Sequence, residues 1–214
     1  MLIGVMGAPI TGKTTLAAGL FARLKEMGIA AEFVPEYARR YIATMAADNR
    51  SGACRPLCDT DQTMIARGQA LDEDLFVGSG TQVVVTDGSV ANAYFYMDGV
   101  SEVDLMHGVR SAMGRYDVLF YARPFDVRVD VEWDPISGSP AGIRPSADPN
   151  RVHDAEFSAR LDGRIASIVN KTTGAGGAWT TGFVHRLAGS PPERLADALR
   201  VVTIRLEVFA QCGM

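Results

Sequence analysis

Gly7-Ala8-Pro9-Ile10-Thr11-Gly12-Lys13-Thr14 has the spacing G-x-x-x-x-G-K-[ST], and each fixed position suits phosphate chemistry. The two glycines let the backbone curl so that successive N–H groups point at the β- and γ-phosphates. Lys13 reaches those phosphates with a full positive charge, and the Thr14 hydroxyl suits Mg²⁺. The flanks strengthen the reading. Leu2–Met6 forms a short apolar strand pattern, and Leu16, Leu20, Phe21 and Leu24 recur at helical spacing from Lys13 to Met27. Strand, glycine loop and helix N-terminus together present backbone N–H groups and a helix dipole to an anion.

Other residues suit the same chemistry. Asp87 ends the β-branched run Val83–Thr86, and a carboxylate at the tip of a buried strand beside a phosphate loop is placed to hold Mg²⁺. Glu36 follows the second strand in Pro35-Glu36-Tyr37-Ala38-Arg39-Arg40, where a carboxylate faces the γ-phosphate from the acceptor side and suits a general base. Arg39 or Arg40 suits an anionic part of the acceptor; adjacent helix positions diverge by about 100°, so one of them points to solvent. Arg144 and Arg151 sit in a long loop and suit transition-state charge stabilisation, with Arg123 and Arg128 as weaker candidates. Each assignment has a plain alternative: Asp87 caps the next turn, Glu36 is a helix-start charge, and a loop arginine is simply solvated.

The elements that must position these residues alternate in type. Strand patterns fall at Leu2–Met6, Ala31–Val34, Gln82–Thr86, Asp117–Tyr121 and Trp179–Leu187. Helical patterns fall at about 13–27, 37–48, 60–76 (with Asp59 and Gln62 as its capping pair), 102–114 and 153–170, and the last opens at Ser190-Pro191-Pro192-Glu193. Strands alternating with helices predict a three-layer α/β fold with a central parallel sheet, in which ligands bind at the carboxyl ends of the strands. That rim gathers residues 7–14, Glu36 onward, Asp87 onward and the proline-rich stretch 123–150. A loop that long is a functional lid or disordered. The expected organisation is a single domain over 1–214 with a lid insertion at about 123–150.

Bulk properties bound the class. A hydrophobic content of 47% with 21% charged residues is that of a soluble globular chain, and no run approaches the ~18 apolar residues of a membrane span. The N-terminus lacks a basic region before its apolar start, so no signal peptide is expected. Three cysteines, Cys54, Cys58 and Cys212, suit a reducing cytosol, and Cys54-x-x-x-Cys58 lacks the partners of a zinc site. A net charge of −4 argues against coating nucleic acid by bulk charge, although Arg39, Arg40, Arg50, Arg55 and Arg67 give a local basic excess.

Gly7–Thr15, Pro35–Tyr41, Val84–Asn92, Tyr116–Pro124 and Gly142-Ile143-Arg144 together resemble the P-loop kinase-type ATPases related to the ribosylnicotinamide kinase domain, a group with many phage-encoded members. The resemblance implies a nucleoside- or nucleotide-kinase fold with ATP and Mg²⁺ as cofactors. Gly7, Ala8, Pro9, Ile10, Thr11, Gly12, Lys13, Thr14 and Thr15 would hold the nucleotide, and Thr14 and Asp87 the metal. It also implies phosphoryl transfer to a nucleoside- or nucleotide-like hydroxyl, in a small metabolite or in a DNA base or end; no membrane partner is expected, for want of a long apolar run. Pro35–Arg40 is similar to a segment of phage polynucleotide kinase whose acidic residue is the base, which supports Glu36. Relatives often carry Asp-Arg after the third strand and Asp-Gly-x-Arg in the lid. Asp87-Gly88 and Ala141-Gly142-Ile143-Arg144 depart from both patterns, where acceptor and lid should meet. In such kinases the turn at Gly189-Ser190-Pro191 lies near the adenine.

The competing reading is a P-loop ATPase or switch without a small acceptor. A GTPase would show Asn-Lys-x-Asp, and Asn170-Lys171-Thr172-Thr173 lacks the aspartate. An AAA-type motor would show an acidic pair after the third strand, and Gly88 follows Asp87 instead. Tyr94, Phe95 and Tyr96 suit either core packing or stacking on a base.

Overall fold

The computed structural model describes residues 1–48, 56–124, 155–173 and 183–211. In chain order these form β1 (Leu2–Met6), α1 (Lys13–Glu26), β2 (Ala31–Val34), α2 (Tyr37–Asp48), α3 (Asp59–Val77), β3 (Val83–Asp87) and α4 (Val90–Phe95). They continue with α5 (Glu102–Met113), β4 (Val118–Ala122), α6 (Ala155–Thr173), β5 (Phe183–Leu187) and α7 (Pro191–Gln211). The strands pair in parallel in the order β2-β3-β1-β4-β5. Parallel neighbours require crossovers, and the helices between the strands supply them on both faces.

Every residue of β1, β3 and β4 is buried, as a parallel sheet covered on two sides demands. Alternation along the strands feeds two cores. Ile3, Val5, Val83, Val85, Val118 and Phe120 pack against Leu16, Leu20 and Leu24 of α1 and Ala198, Val201 and Val202 of α7. Leu2, Met6, Val84, Leu119 and Tyr121 face the opposite side, toward Ile65, Phe95, Val109 and Ile165 of α3 to α6. The result is the three-layer α/β arrangement that alternation predicts.

Two local readings change. The pair Asp59–Gln62 does not cap α3. Cys58 is the N-cap, and its N–H donates to the Asp61 carboxylate at 2.7 Å, because the helix begins one residue earlier than the apolar pattern suggests. Tyr94 and Phe95 end a short helix, α4, with Tyr96 as its C-cap, too brief for periodicity to reveal. The last strand is described only from Phe183; residues 174–182, including Trp179, lie outside the described residues, as do 125–154 and hence almost all of the expected lid. Among the described helices none is long and apolar enough to cross a membrane.

Candidate active site

The phosphate loop leaves the central strand and enters α1 through backbone that only particular residues tolerate. Gly7 has φ 151°, and a Cβ there would stand 2.3 Å from the Ala122 carbonyl oxygen of the neighbouring strand. Glycine is therefore required at this close approach. Ile10 is left-handed at φ 66° without being glycine, a local strain of the kind that persists where surrounding contacts over-determine the backbone.

Those contacts are identifiable. Thr11 Oγ1 donates to the Ala8 carbonyl at 2.9 Å, and Lys13 Nζ donates to the same oxygen at 2.8 Å. Ser158 on α6 donates to the Pro9 carbonyl at 2.6 Å. Arg194 on α7 donates from Nη1 to the Thr11 carbonyl at 3.0 Å and from Nε to Gly189 at 2.9 Å. The Gly7 N–H reaches Asn92 Oδ1 of α4 at 3.4 Å. Elements from both faces of the sheet thus bond the loop's carbonyls at Ala8, Pro9 and Thr11. A single motif cannot show Asn92, Ser158 or Arg194, because their partners lie 85 to 183 residues away.

Asp87 closes β3 directly beside Val5 of β1. Its carboxylate is buried, and Oδ1 has no hydrogen-bond partner among the described residues. Burial holds the group above the usual carboxylate range and the Glu36 charge adds to that, while a hydrogen bond with Thr14 and the charges of Lys13 and Arg39 oppose it. An orphaned carboxylate oxygen beside a threonine hydroxyl is a hard-oxygen donor set, and it fits Mg²⁺. Among the described residues no group of three His, Cys, Asp or Glu side chains could hold a metal by itself. A metal here would need water and phosphate oxygens as further ligands, as Mg²⁺ at phosphates does.

Glu36 stands across Gly88 from Asp87. Gly88 is left-handed at φ 82°, and a Cβ there would lie 3.4 Å from Glu36 Cγ. This left-handed backbone suits glycine where Asp-Arg would be expected, since an arginine at position 88 would be strained there. Glu36, Gln62, Gln69, Ser89, Asn92 and Tyr96 line a cleft with Ile65, Ala66 and Ala93 as its apolar wall. Ser89 Oγ is buried there with no partner among the described residues.

The two arginines after Glu36 part as helix geometry requires. Arg39 Nε pairs with Glu36 at 3.2 Å. Arg40 instead forms a forked pair with Asp72 of α3 at 2.8 and 3.1 Å and lies over the Tyr37 ring, so it braces α2 against α3. Of the aromatic trio, Phe95 is core and Tyr94 packs against Gly108 of α5, while Tyr96 alone lines the cleft, stacked on Phe157 at 6.2 Å. Burial first, and Glu36 second, raise the Tyr96 hydroxyl well above its ordinary pKa. At the turn expected near adenine, Ser190 N–H and Oγ both donate to the Glu193 carboxylate at 2.7 Å, which makes it a helix cap. Arg144, Arg151 and Arg128 lie outside the described residues; Arg123 is described and pairs with Asp162 of α6 at 3.6 Å.

A family model described as AAA domain matches residues 2–171. No curated protein matches the chain. Among solved structures, the thymidylate kinase from Ehrlichia chaffeensis superposes with a TM-score of 0.57, at 14% identity, over 95% of this chain and 98% of that one. Likeness at that identity concerns the fold, and the fold agrees with the β2-β3-β1-β4-β5 sheet and its phosphate loop. The family's description does not bring back the acidic pair of a motor, since Gly88 still follows Asp87. Phosphate loop, parallel sheet and matched residues converge: the chain belongs to the AAA domain family and has the fold of a P-loop kinase.

Proposed function

We propose that this protein is an ATP- and Mg²⁺-dependent phosphotransferase that passes the γ-phosphoryl group to a hydroxyl of a nucleoside- or nucleotide-like acceptor. The observation that carries the reading is Glu36 packed beside Gly88, the residue after Asp87, on a small cleft whose lining also includes Gln62, Gln69, Ser89 and Asn92.

Bound ATP and Mg²⁺ supply the phosphoryl group and the charge that neutralises it. Gly7–Thr15 would hold the phosphates through backbone amides, Lys13 would place its ammonium against them, and Thr14 and Asp87 would take the metal. Glu36 would accept the proton of the attacking hydroxyl. Arg39, paired with Glu36, would orient that carboxylate and contact an anionic part of the acceptor; Arg144 and Arg151 would supply positive charge to the transferred phosphoryl group.

Two acceptor classes fit the resemblance. One is a small nucleoside or nucleotide of the kind handled by ribosylnicotinamide-type kinases, and the other is a hydroxymethylated base or an end in phage DNA. The cysteine content suits action in a cytoplasm, that of the host if the protein is phage-encoded. The deciding experiment offers γ-labelled ATP to two pools, one of nucleosides, ribosylnicotinamide and nucleoside monophosphates, the other of ordinary and hydroxymethylated DNA. Label in the first identifies a metabolite kinase, and label only in the second a DNA-modifying one. Free phosphate with neither pool labelled replaces both with the ATPase reading.

A further inference from the structure

The cleft rests on a buried polar cluster that the phosphate loop does not explain. Glu73 of α3 has no exposed surface, and Gln69, one turn earlier, is nearly as buried. Gln69 Oε1 accepts the N–H of Tyr37, the first residue of α2 and the one after Glu36, at 2.8 Å. Its Nε2 donates to Thr86 Oγ1 at 2.8 Å, and Thr86 donates onward to the Gly88 carbonyl at 3.0 Å. That last bond spans Asp87, fixing the backbone on either side of it. Tyr116 OH donates to Glu73 Oε1 at 2.7 Å and accepts the N–H of Val90, the residue after Ser89, at 2.7 Å. Arg115 approaches Glu73 Oε2 at 3.4 Å and bonds Asp74 at 2.7 Å.

One turn of α3 therefore touches all three segments that carry cleft side chains: the start of α2, the end of β3 and the start of α4. Stability alone is a poor reason for it. A buried carboxylate costs several kcal/mol to desolvate, and well-packed apolar residues at such positions are often neutral or stabilising. What Gln69 supplies is direction, since its bonds to Tyr37 and Thr86, and the Thr86 bond to Gly88, end within one residue of Glu36 or Asp87.

We propose that Gln69 is a positioning residue that, through the Tyr37 N–H and the Thr86 hydroxyl, sets the Glu36 and Asp87 carboxylates relative to the phosphate loop. The inference rests on the kinase reading, in which Asp87 holds Mg²⁺. The probe is ADP, titrated calorimetrically with and without Mg²⁺, using wild type, Gln69→Met and Thr86→Val; both substitutions remove the Gln69–Thr86 bond, and Thr86→Val keeps the shape. The positioning role predicts that the gain in ADP affinity conferred by Mg²⁺ falls roughly ten-fold, as when outer partners of metal ligands are lost, while metal-free affinity stays within about two-fold. A merely structural role lowers the melting temperature but leaves the Mg²⁺ gain of the folded protein unchanged, and that result in Thr86→Val overturns the inference alone. A wild-type protein indifferent to Mg²⁺ overturns the metal role of Asp87 and the inference with it.

Discussion

The guanidinium of Arg194 donates to the carbonyl of Thr11 at 3.0 Å, joining the last helix to the phosphate loop across 183 residues of sequence. The same side chain holds Gly189, so one buried arginine fixes both the loop and the turn after β5. Arg194→Met should weaken Mg²⁺–ATP binding by roughly ten-fold and lower stability by about 1–3 kcal/mol, the cost of leaving buried carbonyls unpaired. Calorimetric titration beside thermal unfolding checks it; unchanged affinity would show that α7 only packs there.

Asp87→Asn should separate stability from activity. Burial disfavours the charged carboxylate in the folded state, so the neutral amide should raise the melting temperature. Turnover should fall by about 100-fold, and the Mg²⁺ requirement should shift upward. A variant that is both less stable and fully active would remove Asp87 from the site.

Glu36→Gln keeps the shape of the side chain and removes its basicity. The transfer rate should drop by about 100-fold with ATP affinity nearly intact. An unchanged rate would demote Glu36 to the start of α2. Lys13→Ala tests the other half: both tight ATP binding and transfer should be lost, and full activity would dismiss the phosphate loop as a nucleotide site.

Glu73 gives a pH signature. Burial pushes its carboxyl up to about 7 from 4.5, against the opposing bonds from Tyr116, Gln69 and Arg115. The folded protein then binds a proton more tightly than the unfolded chain. The contribution of Glu73 to stability is present below the unfolded value, declines between about pH 4.5 and 7, and is gone above. Denaturant titrations across that range should show wild type losing stability relative to Glu73→Gln by up to about 3 kcal/mol. Parallel curves for the two proteins would show that Glu73 titrates normally.

Local signals made much of this molecule legible. Leu2–Met6, Lys13 and the Val83–Thr86 run are neighbours in sequence to what they do, so motif and periodicity suffice to place them. Ala31–Val34 likewise emerges as strand because Gly28 and Pro35 bracket it. Gln69 and Glu73 looked like ordinary polar positions on a helix, since their burial depends on Tyr116 and Thr86 arriving from elsewhere. Arg40 and Arg39 could not be told apart without knowing where Asp72 lies. The six-residue α4 escaped because so short a segment offers no period to detect.

The sheet order divides the site into two mechanical halves. The nucleotide loop hangs from β1, bonded on both sides and among the last backbone amides to exchange with solvent. Glu36 follows β2, an edge strand whose local opening should come sooner. Under the kinase reading, the segment that would grip the phosphates thus sits on the better-held inner strand, and the segment that would face the acceptor on the outer one.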